Sequence, residues 1–72
     1  MTMMLAAVKP GLTVCITEVL LEQPLKRRLE DMGFLRGKSV TPIYERGGDL
    51  IVKLGEARVA VNRGVAMRIM VK

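Results

Sequence analysis

The sequence predicts a mainly β domain: a small barrel of about five antiparallel strands, with one short α-helix inserted after the first long strand. The chain has 72 residues, half of them apolar and 26% charged, a composition typical of a single globular domain over residues 1–72. Short segments of alternating apolar residues are separated by glycine-containing turns, which is the pattern of β-hairpins. A short antiparallel chain buries its apolar faces and removes exposed edges best by curling into a barrel.

The first long strand is predicted over residues 12–19, directly after the turn signal of Pro10-Gly11. β-Branched residues dominate this segment. Val14 and Ile16 fall on one face, with Cys15 and the neighbouring threonines on the other. One face of this strand is therefore expected to lie in the core.

The helix is predicted over residues 24–32, because apolar side chains recur there at helical spacing, at Leu25, Leu29 and Met32. Pro24 suits the first helical position, where its missing N–H costs nothing. Gly33 suits the position after the helix, where a positive φ is needed. At this length the helix must be held by packing rather than by intrinsic propensity.

The second half of the chain predicts two hairpins and a last strand. Pro42 cannot donate to a strand ladder, so we expect it at an edge or a bulge of the strand that contains it. The predicted elements are a strand over 39–46, a turn at Gly47-Gly48-Asp49, a strand over 50–54, a turn at Gly55-Glu56, a strand over 57–61, one 3₁₀ turn at Val65-Ala66 and a strand over 67–71.

Several classes of function are excluded or disfavoured by composition. The chain has no histidine, which excludes His-based metal sites and Ser–His catalysis. The single cysteine, Cys15, cannot form an internal disulfide and has no histidine to activate it, so we interpret it as a packing residue. No apolar run approaches the roughly 20 residues that span a bilayer, and the N-terminus lacks the basic region of a signal peptide. An enzyme is the least supported class.

The order of elements and a set of spaced residues resemble the FeoA family, small cytoplasmic proteins of ferrous iron transport in bacteria and archaea. The paired arginines and the two glycines after the helix are the most specific part. The residues that carry the resemblance are Leu5, Pro10-Gly11, Val14, Ile16, Leu25-x-Arg27-Arg28-Leu29-x-x-Met32-Gly33, Gly37, Val40, Asp49, Ile51, Ala60-Val61, Ala66, Ile69 and Val71. The sequence departs from the family pattern at Gly47-Gly48, Val61-Asn62 and Val65.

The resemblance implies an SH3-like barrel without enzymatic activity. It also implies an accessory role in ferrous iron uptake, exerted on the cytoplasmic G-protein region of the FeoB-type membrane transporter, and hence an indirect association with the membrane. The same fold forms the C-terminal domain of metal-dependent repressors, so a metal-responsive regulatory domain is one alternative. Dimerisation through an exposed edge at Pro42 or at the N-terminus is left open.

No cofactor is predicted from the residues. A closed metal site within one chain needs ligands that this composition lacks. Weak binding of Fe²⁺ or another divalent ion to surface carboxylates, or a site shared between chains, stays open. The six methionines also offer soft ligands. We predict instead that Met32, Met67 and Met70 pack in the core, and that Met1, Met3 and Met4 lie at a frayed end.

The net charge of +5 favours an acidic partner, and six cations are the predicted contacts. They are Lys26, Arg27, Arg28, Lys53, Arg58 and Arg68. The competing interpretation is a solvated face with local ion pairs such as Arg27 with Asp31. A nucleic-acid-binding barrel is the other alternative, but base stacking needs aromatic residues. Only Phe34 and Tyr44 are present, and Phe34 is expected to be half-buried.

Overall fold

A computed structural model describes residues 2–72 as one antiparallel sheet of six strands, strongly curled, with two short helices. The predicted mainly β architecture, with a helix after the first long strand, is confirmed. The strands occur in the order β1-β6-β2-β3-β4-β5. In sequence the elements are β1 (Met3–Met4), a 3₁₀ turn (Leu5–Ala7), β2 (Val14–Val19), α1 (Leu25–Asp31), β3 (Ser39–Arg46), β4 (Asp49–Leu54), β5 (Ala57–Asn62), α2 (Arg63–Ala66) and β6 (Ile69–Val71).

One apolar core lies inside the curled sheet and is closed by α1 and the 3₁₀ turn. The inward positions of the strands alternate with outward ones, as strand geometry requires. In β4, for example, Leu50, Val52 and Leu54 are buried while Lys53 is exposed. The largest fully buried side chains are Phe34, Leu5, Ile16, Ile69, Val40, Val52, Val71 and Pro42.

The hairpin of β4 and β5 turns at Gly55-Glu56, as predicted, and β3 has the predicted bounds. Pro42 also lies at a bulge, because the register of β3 against β4 shifts between Pro42 and Tyr44. The Pro42 carbonyl accepts the Gly11 N–H at 2.8 Å. The prediction for this proline is therefore confirmed.

The N-terminal segment contradicts the prediction of a frayed end. Met3 pairs with Val71 and Met4 with Met70, so this segment adds a strand to the outer edge of β6. Leu5, which follows, is fully buried. The reason is that β6 has a free edge, and burial of Leu5 holds the preceding residues against it. Met1 lies outside the described residues.

The predicted core methionines are also wrong in part. Met32 is 45% exposed and Met67 is 46% exposed, while Met70 is half-buried. Phe34, expected to be half-buried, is instead fully buried. The chain reverses at once after α1, with the Phe34 N–H donating to the Leu29 carbonyl at 3.0 Å. Phe34 thus enters the core directly after the helix, and Met32 is left at the surface.

Two helical details differ from the prediction as well. Only Leu29 of the expected apolar stripe is buried, and Leu25 is 38% exposed. The turn expected to be 3₁₀ near Val65 is a short α-helix, since the Met67 N–H donates to the Arg63 carbonyl four residues back at 3.0 Å. The Asn62 side chain caps its start by accepting the Val65 N–H at 2.8 Å. Among residues 2–72, no helix has the length and apolarity to cross a bilayer.

Candidate partner-binding surface

Two of the six predicted cations stand side by side on the outer face of the β4–β5 hairpin. Lys53 and Arg58 are direct cross-strand partners, and both are exposed. On the other side of β4, Lys53 also pairs with Thr41 of β3. We call Thr41, Lys53 and Arg58 the basic row. At its far end the row is extended by Thr13, whose hydroxyl lies 2.8 Å from that of Thr41.

A second row on the same face is apolar. Tyr44 of β3, Ile51 of β4 and Ala60 of β5 are cross-strand partners, and we call them the apolar row. Tyr44 is 42% exposed. Ile51 and Ala60 lie two residues from Lys53 and Arg58, so the two rows are about 7 Å apart.

The bulge in β3 is what brings Tyr44 onto this face. Thr41 and Tyr44 are three residues apart, so in a regular strand they would point to opposite faces of the sheet. The register shift between Pro42 and Tyr44 inserts one extra residue into β3. As a result Tyr44 lies on the same outer face as Thr41. The sequence predicted an edge or a bulge at Pro42 but did not connect either with the tyrosine.

The three cations of α1 do not form one patch. Consecutive residues on a helix point about 100° apart. The Arg27 guanidinium lies 3.5 Å from the Asp31 carboxylate, and both side chains are more than two-thirds exposed. This predicted ion pair is present, but at such exposure it adds only about 0.3–0.5 kcal/mol to stability. Arg28 is exposed to solvent, and Lys26 is half-buried.

Lys26 lines a cleft of about 530 Å³ between β2 and α1. Its walls carry both signs of charge, with Glu18 and Glu30 against Lys26 and Arg36. Within residues 2–72 no salt bridge joins these four groups. The Thr17 hydroxyl, also on the cleft wall, is buried without a hydrogen-bond partner in the described part of the chain.

Arg68 lies apart from the basic row. It immediately precedes β6, and its carbonyl accepts the Leu20 N–H at 2.7 Å. Since β6 pairs with β1 and β2, strand pairing does not bring Arg68 to Lys53 and Arg58. Among the strand pairs of residues 2–72, Lys53 and Arg58 are therefore the only two of the six predicted cations that are partners.

A shallow groove of about 300 Å³ opens at the turn of the β4–β5 hairpin, on the side of inward-facing Leu54 and not on the face that carries the basic row. It runs between the end of α1 and the hairpin, and it was not foreseen from the sequence. Its residues are Met32, Gly33, Lys38, Ser39, Leu54 and Gly55. Exposed Met32 supplies an adaptable apolar contact, and Lys38 adds a cation.

The side chains available do not fit a closed metal site. In the described part of the chain, no three Cys, Asp or Glu side chains lie close enough together to hold an ion. Cys15 is a free, half-buried thiol with a weak contact of 3.8 Å to the Ile16 carbonyl. No role for this surface is therefore derived through a bound metal.

Comparison with protein families gives one match, the FeoA domain, over residues 3–72. No curated protein matches the chain. Among solved structures, an iron uptake regulatory protein (FeoA) superposes with a TM-score of 0.90 at 26% identity, covering 100% of this chain and 97% of that one.

Two further structures extend the likeness. A zinc-complexed FeoA of Stenotrophomonas maltophilia matches with a TM-score of 0.79 at 26% identity, covering 97% of this chain and 89% of that one. That protein is described as a prokaryotic SH3 domain protein and proposed as an activating factor of bacterial ferrous iron transport. A manganese-dependent transcriptional repressor shares the fold alone, with a TM-score of 0.86 at 19% identity, covering 97% of this chain and 40% of the repressor.

Proposed function

This chain belongs to the FeoA family, and we propose that it is a non-enzymatic accessory protein of ferrous iron uptake that binds the cytoplasmic region of a FeoB-type GTPase transporter. It would work in the cytoplasm and reach the membrane only through that partner. The family match is supported by an SH3-like fold that spans the whole chain. The observation that carries the docking role is the exposed cross-strand pair of Lys53 and Arg58.

The chemistry of the surface favours an acidic protein partner. Two adjacent like charges without a carboxylate partner among residues 2–72 repel each other, and an acidic surface relieves this repulsion. Beside them, on the same face, lies the apolar row. An apolar contact bordered by charge is the arrangement of a protein interface.

Nucleic acid is a poorer fit to the same surface. Binding of single strands relies on several aromatic side chains on which successive bases stack. Of the two aromatic residues, Phe34 is fully buried, which leaves Tyr44 alone on the outer face. A basic row without a stacking platform is better suited to carboxylates on a protein.

Metal binding enters the proposal only as a weak property. A FeoA relative is complexed with zinc, and this chain has surface carboxylates that attract divalent ions weakly. A metal-responsive regulatory domain therefore stays the alternative, with saturable binding of Fe²⁺ or Mn²⁺ in calorimetry as its signature. We propose no step that depends on such an ion.

The test is a titration of the full chain with the cytoplasmic region of the FeoB-type transporter, at 50 and 200 mM salt, with and without guanine nucleotide. The double variant Lys53→Glu/Arg58→Glu should bind about tenfold more weakly, because each reversal replaces attraction by repulsion. The on-rate of the unmodified protein should fall as salt is raised.

The matched control is Lys9→Glu/Lys72→Glu, which lowers the net charge equally at exposed positions outside β4 and β5. It should bind nearly as well as the unmodified protein. Absence of binding at low salt in every nucleotide state would refute the proposal. Micromolar binding of single-stranded oligonucleotides with a steep salt dependence would instead favour the nucleic-acid alternative.

A further inference from the structure

Strand β5 is a long, open edge of the sheet. It pairs with β4 and with no other strand in residues 2–72. The opposite edge, β1, is only two residues long, and short edge strands are one way in which proteins prevent unwanted pairing. β5 has six residues, contains no proline, and carries Arg58 as its only charge.

The alternation of the hairpin shows which backbone groups are free. In a hairpin with a two-residue turn, the residues flanking the turn, here Leu54 and Ala57, exchange both hydrogen bonds, and every second pair repeats this. One pair beyond Asp49 and Asn62, the alternation predicts a hydrogen-bonded pair of Gly48 and Arg63. That bond is present, because the Arg63 N–H donates to the Gly48 carbonyl at 3.1 Å. The N–H and C=O groups of Arg58 and Ala60 therefore point away from β4.

These outward groups have no partner within the described chain. Among residues 2–72, no turn, loop or cap donates a backbone hydrogen bond to Arg58 or Ala60 or accepts one from them, and β4 is the only strand with which they pair. Both residues are exposed. Two N–H donors and two C=O acceptors are thus presented in line, which is the template on which an extended segment adds as a further strand.

We propose that β5 receives an extended acidic segment of the partner protein as an added strand; this deepens the proposed function and rests on it. The two rows on the outer face specify what that strand carries. In the added strand, the residue opposite Arg58 continues the basic row and is expected to be a carboxylate. The residue opposite Ala60 continues the apolar row and is expected to be aliphatic. The segment therefore has an acidic and an aliphatic residue two positions apart.

Charge decides between this occupant and a second copy of the chain. Pairing of two β5 edges would bring two chains of net charge +5 together, with the Lys53 and Arg58 pairs of both on one continuous sheet. Like charges on neighbouring strands are destabilising. An acidic segment instead gains attraction at the same positions.

The experiment compares variants of the full chain in their binding to the transporter's cytoplasmic region. Ala60→Pro removes an outward N–H and leaves the bonds to β4 in place, because proline is tolerated at the free side of an edge strand. It should weaken binding at least tenfold, and Arg58→Glu should do the same without any change to the backbone. The control Lys9→Glu/Lys72→Glu, whose residues are exposed and lie outside β4 and β5, should bind nearly as well as the unmodified protein, and thermal unfolding checks that each variant is folded.

A peptide probe makes the inference testable independently of the transporter. The heptapeptide Ser-Thr-Glu-Thr-Val-Thr-Ser should shift the amide NMR signals of Arg58 and Ala60 and slow their hydrogen exchange. The same peptide with Lys in place of Glu should not. If neither signal responds, the added strand is refuted.

The outcomes separate the two proposals. If the transporter region binds Ala60→Pro and the unmodified protein equally, the added strand is refuted while the proposed function stands. If the transporter region does not bind at all, the proposed function fails. The peptide result then decides whether β5 accepts an added acidic strand. A dimer in sedimentation that Ala60→Pro abolishes would overturn the acidic segment in favour of a second copy.

Discussion

A Cβ built on Gly33 would lie 3.1 Å from Cδ2 of Leu54, and Gly33 itself has a φ of +109°. The glycine after α1 is thus required twice: by its backbone conformation, and by the close approach of the hairpin to the end of the helix. Gly33 and Leu54 also both line the groove at the end of α1. The close approach between the end of α1 and the β4–β5 hairpin therefore depends on this glycine.

Gly33→Ala should destabilise the protein by about 2 kcal/mol, because a side chain at positive φ costs about 1–2 kcal/mol and the Leu54 contact adds crowding. Gly37→Ala is the matched control. Gly37 has a φ of +89° but open space around its Cβ position. Urea denaturation measures both, and the difference between them isolates the Leu54 contact. Equal losses would show that Leu54 moves aside freely.

Thr17→Val should raise the free energy of unfolding by about 1 kcal/mol. The Thr17 hydroxyl is buried with no hydrogen-bond partner in residues 2–72, and burial of an unsatisfied hydroxyl is unfavourable. Valine keeps nearly the same shape without the polar atom. Denaturant unfolding of this variant should be compared with that of Thr13→Val, which loses the exposed contact to Thr41 and should not gain stability. A destabilised Thr17→Val would mean that the hydroxyl has a partner in solution.

The elements that the sequence predicted well are those set by local rules. The turn at Gly55-Glu56, the bounds of β3 and the glycine after the helix follow from backbone conformation and side-chain alternation. Each of these needs only neighbours along the chain to be recognised. The family resemblance rested instead on the order of the elements and on residues spaced over nearly the whole chain.

The parts that sequence reasoning missed depend on tertiary packing. Met32 and Phe34 are two residues apart, and periodicity alone placed the methionine in the core. The chain reversal after Gly33 puts Phe34 there instead, and a helix pattern contains no information about that reversal. For the same reason the free backbone groups of Arg58 and Ala60 were not foreseen, since an edge is defined by the order of strands in the sheet.

Asn62→Ala should destabilise the protein by about 1 kcal/mol. The Asn62 side chain accepts the Val65 N–H at 2.8 Å and caps the short helix α2. Asn62→Asp keeps the acceptor and should retain most of the stability. Both variants can be measured by thermal unfolding. A loss in Asn62→Asp as large as that in Asn62→Ala would argue that the amide group of Asn62 matters in another way.

Phe34 should be the side chain on which the core depends most. It is fully buried and is the largest such side chain, so Phe34→Ala should cost about 3–5 kcal/mol through lost burial and a cavity. A domain of this size has few kcal/mol to lose, so the alanine variant should be largely unfolded. Phe34→Leu retains most of the volume and should stay folded with a smaller loss. Tyr44→Ala removes a partly exposed aromatic that pairs with Ile51 and should cost at most about 1 kcal/mol. Near-native stability of Phe34→Ala would show that this core can close around the missing ring.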